Sequence, residues 1–492
     1  MMRQFRMLVL ASVAAGCAVG PSYHPEEVVP EKTQVGTASS SAPARQFFDS
    51  LAAARDRDTV SVTAKPAARA VLPDSLPGLA WVDVFRDSTL FNLVKVALVQ
   101  NRDLQTAISR IQEFRADVGI ARGPLFPAIS ANGSVSTNQV AIGSFPPTQF
   151  DAWRVTADVA WELDFWGRIR RGIEAANADL ASTQASQRAV VLSLVSDVAL
   201  SYLSLVELDQ ERTLSERTLV SRTATLELAR RRVRQGLTSE LDVRQFEAQV
   251  AVPAAALART ERLRAEQEHA LSLLLGQAPA PIARHNDLAG ILNAFQVPDS
   301  LPATLLTRRP DVQAAERAYA AATARIGVAQ AARLPAITIT GYYGTQVAEA
   351  SRLFISNGEV YQALAGVSLP IFTGGRLINE TRAARARADQ ARLQYEQSFL
   401  IALREASDAL AGVRTTRDQV VAQETQTLAL RRGLQLAELR YRTGIANYLE
   451  VLDAQRSLFT AELALSQAQL DQLSAAVQLY RSLGGSWPVS QR

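Results

Sequence analysis

The chain has 492 residues, of which 48 % are hydrophobic and 20 % charged, so it is longer than one ordinary domain and has the composition of a folded protein. The 52 Lys and Arg residues exceed the 48 Asp and Glu residues by only four, which excludes the strongly basic face that nucleic-acid binding needs. The densest basic cluster, at 230–234, is interpreted as a solvated helix end, because cations are favoured at helix C-termini.

The N-terminus has the features of an exported protein. Arginines, a short apolar run and small residues precede the only cysteine, Cys17, which predicts a signal peptide at 1–16. The tetrapeptide at 14–17 resembles the lipobox of bacterial lipoproteins, with Ala14 at the usual Leu position. This resemblance implies that Cys17 is lipidated, carrying palmitate. Ala18 stands where a retention Asp would stand, which implies sorting to the outer membrane.

Residues 17–80 are expected to form a lipidated tether. The stretch from about 30 to 77 is rich in Ala, Ser, Thr and Pro and has no sustained period. No later apolar stretch of about 18 residues is identified, so the sequence predicts no membrane crossing by helices. Any crossing then requires a closed β-barrel, in which every backbone group is paired.

The ordered part of the chain is interpreted as two copies of one unit, offset by 208 residues. Five landmarks recur at this spacing: 103–105 with 311–313, 127–129 with 335–337, 167–168 with 375–376, Gly236 with Gly444, and 275–276 with 483–484. The first copy is assigned to 81–295 and the second to 296–487. A short tail remains at 488–492.

Each copy is predicted to contribute one β-hairpin. Every second residue is apolar in two segments, which indicates strands with unlike faces. These residues are Val155, Ala157, Val159, Trp161 and Leu163, and Tyr361, Ala363, Ala365, Val367 and Leu369. Partner strands are predicted at 129–135 and 337–343, giving four strands per chain. Because single-chain outer-membrane barrels start at eight strands, oligomerisation has to complete the barrel, and three chains would give twelve.

A run without proline follows each hairpin, at 168–235 and 376–443. A helix of this length is about 100 Å long, deeper than any globular core. A coiled-coil seam is predicted in the first run. It consists of Leu192, Val195, Ala199, Tyr202 and Val206. Long helices of this kind need neighbours to bury both flanks, which favours a ring of helix pairs.

Two glycines, Gly236 and Gly444, are predicted to end these helices. Returning helices of about 37 residues then reach Leu275 and Leu483. Pro253 lies inside the first return and is expected to kink or interrupt it.

The residues predict no catalytic site, metal site or cofactor. The three histidines, His24, His269 and His285, have no metal-ligand spacing and no cysteine partner in the mature domains. The segment 373–376 is interpreted as a strand-to-helix turn, because it lacks the glycine pattern of an anion-binding loop. We therefore expect a protein that is not an enzyme.

The chain resembles the outer-membrane factor family of the TolC and OprM type, and within it the NodT-like lipoproteins. The most specific stretches are 81–107, 161–168 and 440–455. The resemblance implies an α+β membrane protein, a homotrimer whose twelve-stranded β-barrel, with four strands per chain, lies in outer-membrane lipid. The barrel is expected to continue into a twelve-helix periplasmic α-barrel, with a belt of shorter helices around its middle.

The family resemblance implies a passive duct of a tripartite efflux or export system. The sequence leaves the cargo open, and multidrug efflux is one of the cargo classes that the resemblance allows. The expected partners are a periplasmic adaptor, also called a membrane-fusion protein, and an inner-membrane pump of the RND or similar type. The tips at Gly236 and Gly444 are expected to contact the adaptor.

The resemblance also implies a periplasmic gate. Leu449 and Asp453 match residues whose side chains form stacked rings across the aperture. Tyr441 and Asp242 match a hydrogen-bonded pair that holds neighbouring coils together, and Ala446 replaces the arginine that supports this pair. Two simpler interpretations stay open, in which Leu449 is coiled-coil core and Asp453 is a solvated charge.

The sequence leaves two functions open beside the duct. A structural or adhesive coiled-coil outer-membrane lipoprotein would explain the long helices but not the amphipathic hairpins between them. A solute-selective porin would explain the strands but not the 68-residue helical runs at 168–235 and 376–443.

Overall fold

The structure is a computed structural model that describes residues 18–24, 34–36, 87–140, 148–236, 239–284, 288, 291, 300–355, 358–443, 445–446 and 448–485. Several features of the sequence analysis lie outside these residues: the signal peptide with Cys17, residues 81–86, His285, Gly444, and the tail at 488–492. Most of the predicted tether lies outside them as well.

Seven α-helices and six strands are present in the described part of the chain. In chain order they are β1 (Gln34–Gly36), α1 (Ser88–Gln100), α2 (Arg102–Arg122), β2 (Ala128–Val140), β3 (Thr148–Leu163), α3 (Arg168–Arg234), α4 (Glu240–Leu274), β4 (Ser300–Pro302), α5 (Pro310–Ala331), β5 (Ala336–Val347), β6 (Glu359–Ser368), α6 (Arg376–Arg442) and α7 (Tyr448–Ser482). Short 3₁₀ turns cover Gly123–Leu125, Ala303–Arg308 and Ala350–Arg352.

The four predicted strands form one antiparallel sheet in the order β2-β3-β5-β6. Strands β2 and β3 make the first hairpin, and β5 and β6 make the second. The two hairpins join through β3 and β5, where Val159 lies opposite Gly341. The sequence prediction of one hairpin per copy is therefore confirmed, and β2 and β6 form the edges of the sheet.

The sheet has one apolar and one polar face, as the alternating pattern predicted. The register places Ile129 opposite Val159 and Ile337 opposite Val367 on the apolar face. Within the single chain this face is open, since Ile129 is 74 % exposed and Val367 is 72 % exposed. On the polar face, the Asn132 side chain donates a hydrogen bond of 2.7 Å to Asp158. An open apolar face of this kind marks a surface that contacts a membrane or another protein chain.

The long helices match the predicted proline-free runs. Helices α3 and α6 each contain 67 residues, and the returning helices α4 and α7 each contain 35. The capping box of α4 explains where this helix begins: the Ser239 hydroxyl accepts from the Asp242 backbone N–H, and the Asp242 carboxylate accepts from the Ser239 N–H.

Pro253 does not interrupt the first return, contrary to that part of the sequence expectation, because α4 is one helix through this position. A proline inside a helix leaves the carbonyl four residues earlier without its N–H donor. Here that carbonyl belongs to Gln249, and the side chain of Arg222 in α3 donates to it over 2.8 Å. A contact from a distant segment thus replaces the missing backbone hydrogen bond.

The expectation that no apolar stretch of 18 residues follows the signal peptide is also wrong. Among the described residues, helix α3 contains a window of this length that is apolar enough to cross a membrane. Of this window, 56 % is buried within the chain. Packing in the helical core is therefore a sufficient reason for this apolar stretch, without a membrane crossing.

The chain divides into two compact units. The first unit contains the described residues of Met1–Glu27, Ile108–Ser186 and Gln313–Ser398, and the second those of Val28–Ala107, Gln187–Val312 and Phe399–Arg492. The first unit holds the sheet and a small cluster of Ala322, Ile326, Ala384 and Ala388. Alanines in this cluster allow helices α5 and α6 to approach closely, as the abundance of alanine predicted.

The second unit has the larger core, in which the predicted coiled-coil seam lies. Val195, Ala199, Tyr202 and Val206 are all buried there, and Leu192 packs against them. The Tyr202 hydroxyl donates a hydrogen bond of 2.6 Å to Asp87, the residue that caps helix α1. In the same unit, β1 pairs with β4, so a short part of the predicted tether is a strand.

Candidate functional site

The candidate gate residues lie around the first turns of α4 and α7, in the second unit. An aromatic cluster holds this region together. The rings of Tyr441 and Tyr448 are 4.9 Å apart, and those of Tyr448 and Phe246 are 4.2 Å apart. Phe246 is buried with Leu452, so apolar packing joins α4 to α7.

Tyr441 has a partner that the sequence analysis did not identify. Its hydroxyl accepts a hydrogen bond from Arg232, and the Arg232 guanidinium lies 5.1 Å from the centroid of the Tyr441 ring. The Asp242 carboxylate takes part in the capping box at the start of α4. The Tyr441–Asp242 pair stays a prediction.

Arg232 was missed by the sequence analysis, which placed it in a solvated helix end. Its position in the last turn of α3 fitted that interpretation. Arg232 and Tyr441 lie shortly before Gly236 and Gly444, two glycines at corresponding positions of the duplication. This placement is the sequence feature that could have identified Arg232. The Arg232–Tyr441 contact is both a hydrogen bond and a cation–π interaction, which ties α3 to α6.

Leu449 and Asp453 lie one helical turn apart at the start of α7. Leu449 is 58 % exposed, so the alternative of a buried core leucine does not describe this chain on its own. The Asp453 carboxylate accepts from Arg456 over 2.6 Å, and both side chains are exposed. The second alternative was that Asp453 is a solvated charge. In the single chain Asp453 is solvated, but it is also ion-paired with Arg456.

A shallow groove of about 200 Å³ runs beside these residues. It is lined by Gln245, Ala248, Gln249, Leu449, Leu452, Asp453 and Arg456. The groove brings together α4 and α7, and its only charged lining groups within the described residues are Asp453 and Arg456. It has space for water and small ions.

Of the two predicted tips, the structure describes Gly236 but not Gly444. Gly236 follows the end of α3 with a φ of +73°, and its N–H donates to the Val233 carbonyl over 2.9 Å. This left-handed conformation is the reason for glycine at this helix end. Gly444 is outside the described residues, but next to it the Ile445 N–H donates to the Arg440 carbonyl over 2.9 Å.

The residues that follow Cys17 are docked on the first unit and do not form a loose tether. The Val19 N–H donates to the Trp166 carbonyl over 3.0 Å, and Arg171 donates to the Gly20 carbonyl over 3.1 Å. The helical residue Gly327 permits this approach, because a Cβ atom there would lie 2.8 Å from the Val19 carbonyl oxygen. These contacts concern residues 18–20, and the tether at 17–80 stays a prediction.

Tyr23 extends this docked segment. Its hydroxyl donates a hydrogen bond of 3.1 Å to Glu316, and its ring packs edge-on against Tyr319 at 5.4 Å. Both partners are on helix α5. The segment at 18–24 is thus held at two places on the first unit.

The described residues contain no group of three or more His, Cys, Asp or Glu side chains placed to hold a metal ion. The chemistry of the site is therefore that of a helical surface with one exposed leucine, one ion pair and an aromatic cluster behind them.

Comparison with protein families gives the class. The model of the family described as outer membrane efflux protein matches residues 93–277 and 301–485. The matches begin at 93 and 301, the same 208-residue spacing as the internal duplication. The chain belongs to the outer membrane efflux protein family. It is an outer-membrane channel component of an efflux pump, and a transport protein without enzymatic activity.

Individual relatives agree with this assignment. The solvent efflux pump outer membrane protein SrpC of Pseudomonas putida is 37 % identical over 417 residues, which is 83 % of this chain and 88 % of that protein. The cation efflux system protein CusC of Escherichia coli is 31 % identical over 414 residues, 84 % of this chain and 90 % of that protein.

Solved structures match over nearly the whole chain. The outer-membrane channel OprN superimposes with a TM-score of 0.81 at 29 % identity, covering 96 % of this chain and 100 % of OprN. A crystal structure of CusC gives a TM-score of 0.80 at 28 % identity, covering 95 % and 100 %. The helical architecture with a four-stranded sheet is therefore that of outer-membrane channels.

Proposed function

We propose that three copies of this chain form a passive duct, which crosses the outer membrane as a twelve-stranded β-barrel and continues into the periplasm as a twelve-helix tube. The four-stranded sheet carries this proposal. Its edge strands β2 and β6 pair with no further strand of the described chain, while its apolar face is open. Four strands do not close a barrel, and a bilayer excludes open edges.

The helices support the same assembly. Each chain has two long helices, α3 and α6, and each is followed by a returning helix. Three chains supply twelve helical segments for the wall of a tube. Alanine-rich contacts such as those of Ala384 and Ala388 allow the close spacing that a wall needs.

Cargo reaches this duct from a periplasmic adaptor and an inner-membrane pump of the RND or similar type, which supplies the energy. We place the adaptor contact at the two turns that contain Gly236 and Gly444. Relatives are named for efflux of solvents, toluene, antibiotics or cations. A wide duct selects little, so the pump determines which of these cargo classes this chain serves.

The gate of the duct is assigned to Leu449 and Asp453. Three exposed leucines around a threefold axis would dewet a narrow aperture, and three carboxylates would form an anionic ring. The ion pair with Arg456 moderates this ring, because each carboxylate has a cation 2.6 Å away. Tyr441 and Arg232, together with Asp242 at the start of α4, hold the surrounding helix ends.

The anchor of the duct is assigned to Cys17, lipidated in the inner leaflet of the outer membrane. The docked residues at 18–20 support this assignment, because they fix the chain just after Cys17 to the first unit, which contains the sheet. The lipid on Cys17 and the four-stranded sheet would then lie next to each other in the membrane.

The first experiment is planar-bilayer conductance of the purified, lipidated protein together with its mass in detergent. Trimers with discrete openings of small conductance are expected. Monomers without conductance would overturn the duct and favour the structural or adhesive lipoprotein. Large openings that never close would instead favour a solute-selective porin.

The gate is tested by a matched pair of variants. Asp453→Ala removes the anionic ring and leaves Arg456, so the conductance should rise and the selectivity should move towards anions. Arg456→Gln leaves Asp453 unpaired, so the selectivity should move towards cations. The reversal potential in a salt gradient measures both shifts. If both variants kept the wild-type potential and conductance, Asp453 would not face the aperture.

A further inference from the structure

Helices α2 and α5 occupy corresponding positions in the two copies of the internal duplication, but α2 is far more exposed. Helix α5 lies between two neighbours in the first unit. Its Ala314 carbonyl accepts from Ser182 of α3 over 2.8 Å. Its Ala329 carbonyl accepts from Thr381 of α6 over 3.3 Å. By contrast, Val118 is the only buried residue of α2 among the described residues of that unit, so one flank of α2 is uncovered.

An ion pair between α5 and α3 has unpaired counterparts on two other helices. Arg325 of α5 is paired with Asp179 of α3. Subtracting 208 from the first number gives Asp117 in α2, and adding 208 to the second gives Arg387 in α6. The charges are exchanged between the helices but stay opposite. In the part of the chain that the structure describes, neither Asp117 nor Arg387 has an ion pair or a side-chain hydrogen bond, and both are exposed.

These four charges follow one another across α2, α3, α5 and α6 as negative, negative, positive and positive. Burial raises the pKa of Asp179, and the nearby negative charge of Asp117 raises it further. Asp117 therefore has a like charge on its α3 side. At the other end of the row, Arg387 has no anion paired with it. The row is completed when its negative end meets the positive end of another copy.

A glycine inside α2, Gly119, indicates a close neighbour at the same flank. Its counterpart in α5, Gly327, approaches α3 closely, because a Cβ atom there would lie 2.9 Å from Cγ of Arg171. At Gly119 a Cβ atom would meet nothing within 4 Å. Glycine inside a helix is destabilising relative to alanine, and no neighbour in the described chain requires it here. Adding 208 to 171 gives Asn379 of α6, so the same helix spacing in a second copy would place Asn379 on Gly119.

We infer that Asp117 of one chain forms an ion pair with Arg387 of a neighbouring copy, whose Asn379 packs on Gly119. This inference rests on the proposed trimer and names a helical contact that closes it. Exposed ion pairs are individually weak, so the pair acts mainly on specificity. Two α2 flanks would bring Asp117 against Asp117, and two α6 flanks would oppose arginines. The charges therefore favour a head-to-tail ring over a twofold dimer.

Charge exchange tests the ion pair in the purified, lipidated full-length protein. Asp117→Arg places two arginines at each junction between chains, and Arg387→Asp places two carboxylates there. In both variants the trimer should dissociate at a lower temperature than in the wild type, because like charges face each other. The double variant Asp117→Arg/Arg387→Asp restores opposite charges, so its trimer should dissociate close to the wild-type temperature. Light scattering in detergent after stepwise heating measures the fraction of trimer.

Crosslinking tests the geometry separately from stability. Asp117→Cys combined with Arg387→Cys should give covalent dimers and trimers with a short bis-maleimide, because the two positions meet at every junction. Each single variant should stay monomeric on a denaturing gel, which also controls for Cys17. The matched control combines Arg115→Cys with Arg387→Cys and should crosslink much less, since residue 115 lies about 200° around the helix from residue 117.

The ion pair and the trimer can fail separately. The inference is overturned if the wild type is a conducting trimer, but the double charge variant stays as unstable as the single variants and the paired cysteines give no crosslink. Crosslinks from Asp117→Cys alone would also overturn it, because they would place two α2 flanks together. A wild-type chain that is monomeric and does not conduct would instead overturn the proposed function, and this contact with it.

Discussion

The Tyr202 hydroxyl donates a hydrogen bond of 2.6 Å to the Asp87 carboxylate, and both side chains are buried. The other carboxylate oxygen of Asp87 accepts from the backbone N–H groups of Thr89 and Leu90. A residue at the centre of a long helix thereby orients the cap of the short helix α1. This carboxylate therefore helps to position α1 on the core, together with the packing of Leu90 and Val94.

Tyr202→Phe tests this connection. The variant keeps the ring and leaves the buried Asp87 carboxylate one donor short, which should lower the free energy of unfolding by about 1–3 kcal/mol. Denaturant unfolding in detergent, followed by circular dichroism, measures the change. The control Tyr361→Phe alters a tyrosine that is 78 % exposed and should change stability little. Equal stability of both variants would mean that the hydrogen bond contributes nothing.

The contact between Arg222 and the Gln249 carbonyl predicts an interaction between two distant substitutions. Arg222→Met should cost about 1–3 kcal/mol, because the carbonyl left free by Pro253 becomes unsatisfied. Pro253→Ala restores the backbone donor, so Arg222→Met should cost less in that background. A coupling energy of about 0.5–3 kcal/mol in a double-mutant cycle is expected. Strict additivity would show that Arg222 does not replace the missing helix hydrogen bond.

Glu207 predicts a pH dependence of stability. Burial, with a smaller contribution from Glu211, raises the pKa of Glu207 to about 7. The folded chain therefore holds a proton that the unfolded chain has lost, so stability declines as the pH rises from about 4.5 to about 7 and is constant above that range for this group.

Glu207→Gln should remove this decline and leave the chain more stable at pH 8 by an amount on the order of a few kcal/mol. Unfolding midpoints between pH 5 and pH 8 measure the effect. Glu211→Gln is the matched control, because it removes only the smaller contribution. A wild-type slope that persists in Glu207→Gln would assign the pH dependence to another group.

The docked segment after Cys17 predicts a steric effect at Gly327. A Cβ atom at this position would lie 2.8 Å from the Val19 carbonyl oxygen, so Gly327→Ala should displace residues 18–20. Hydrogen exchange at the Val19 amide, which donates to Trp166, should become faster by a factor of about ten or more. Gly172→Ala provides the control, because a Cβ atom at this helical glycine meets nothing within 4 Å. Unchanged protection in Gly327→Ala would show that the segment docks elsewhere.

The regular elements were predictable because their signals are local. Alternation of apolar residues predicted β3 and β6, and the absence of proline predicted α3 and α6 with ends close to those observed. The duplication predicted that both halves would contain the same elements. These are properties of consecutive residues or of one fixed spacing, which a sequence displays directly.

The remaining features depend on contacts between distant segments, and the sequence did not identify them. Pro253 was expected to disturb α4, but Arg222, which is 31 residues away in the chain, supplies the missing donor. The contact of Arg232 with Tyr441 joins residues that are 209 positions apart. The docking of Val19 depends on Gly327, a glycine inside a helix with no turn residues around it. In each case the partner is selected by three-dimensional proximity.

The pairing of β3 with β5 also indicates how strands of neighbouring copies would pair, a contact that lies outside the single chain. The duplication relates β3 to β6 and β5 to β2. The central pair of the sheet is therefore the counterpart of the two edge strands that would meet between neighbouring copies in the proposed ring. Shifting the pair Val159 and Gly341 by 208 residues in opposite directions places Val367 opposite Gly133 of the neighbouring copy. The ring would then have six nearly equivalent seams, three inside chains and three between them. In the proposed trimer, the register between neighbouring copies would therefore repeat the register that β3 and β5 have within one subunit.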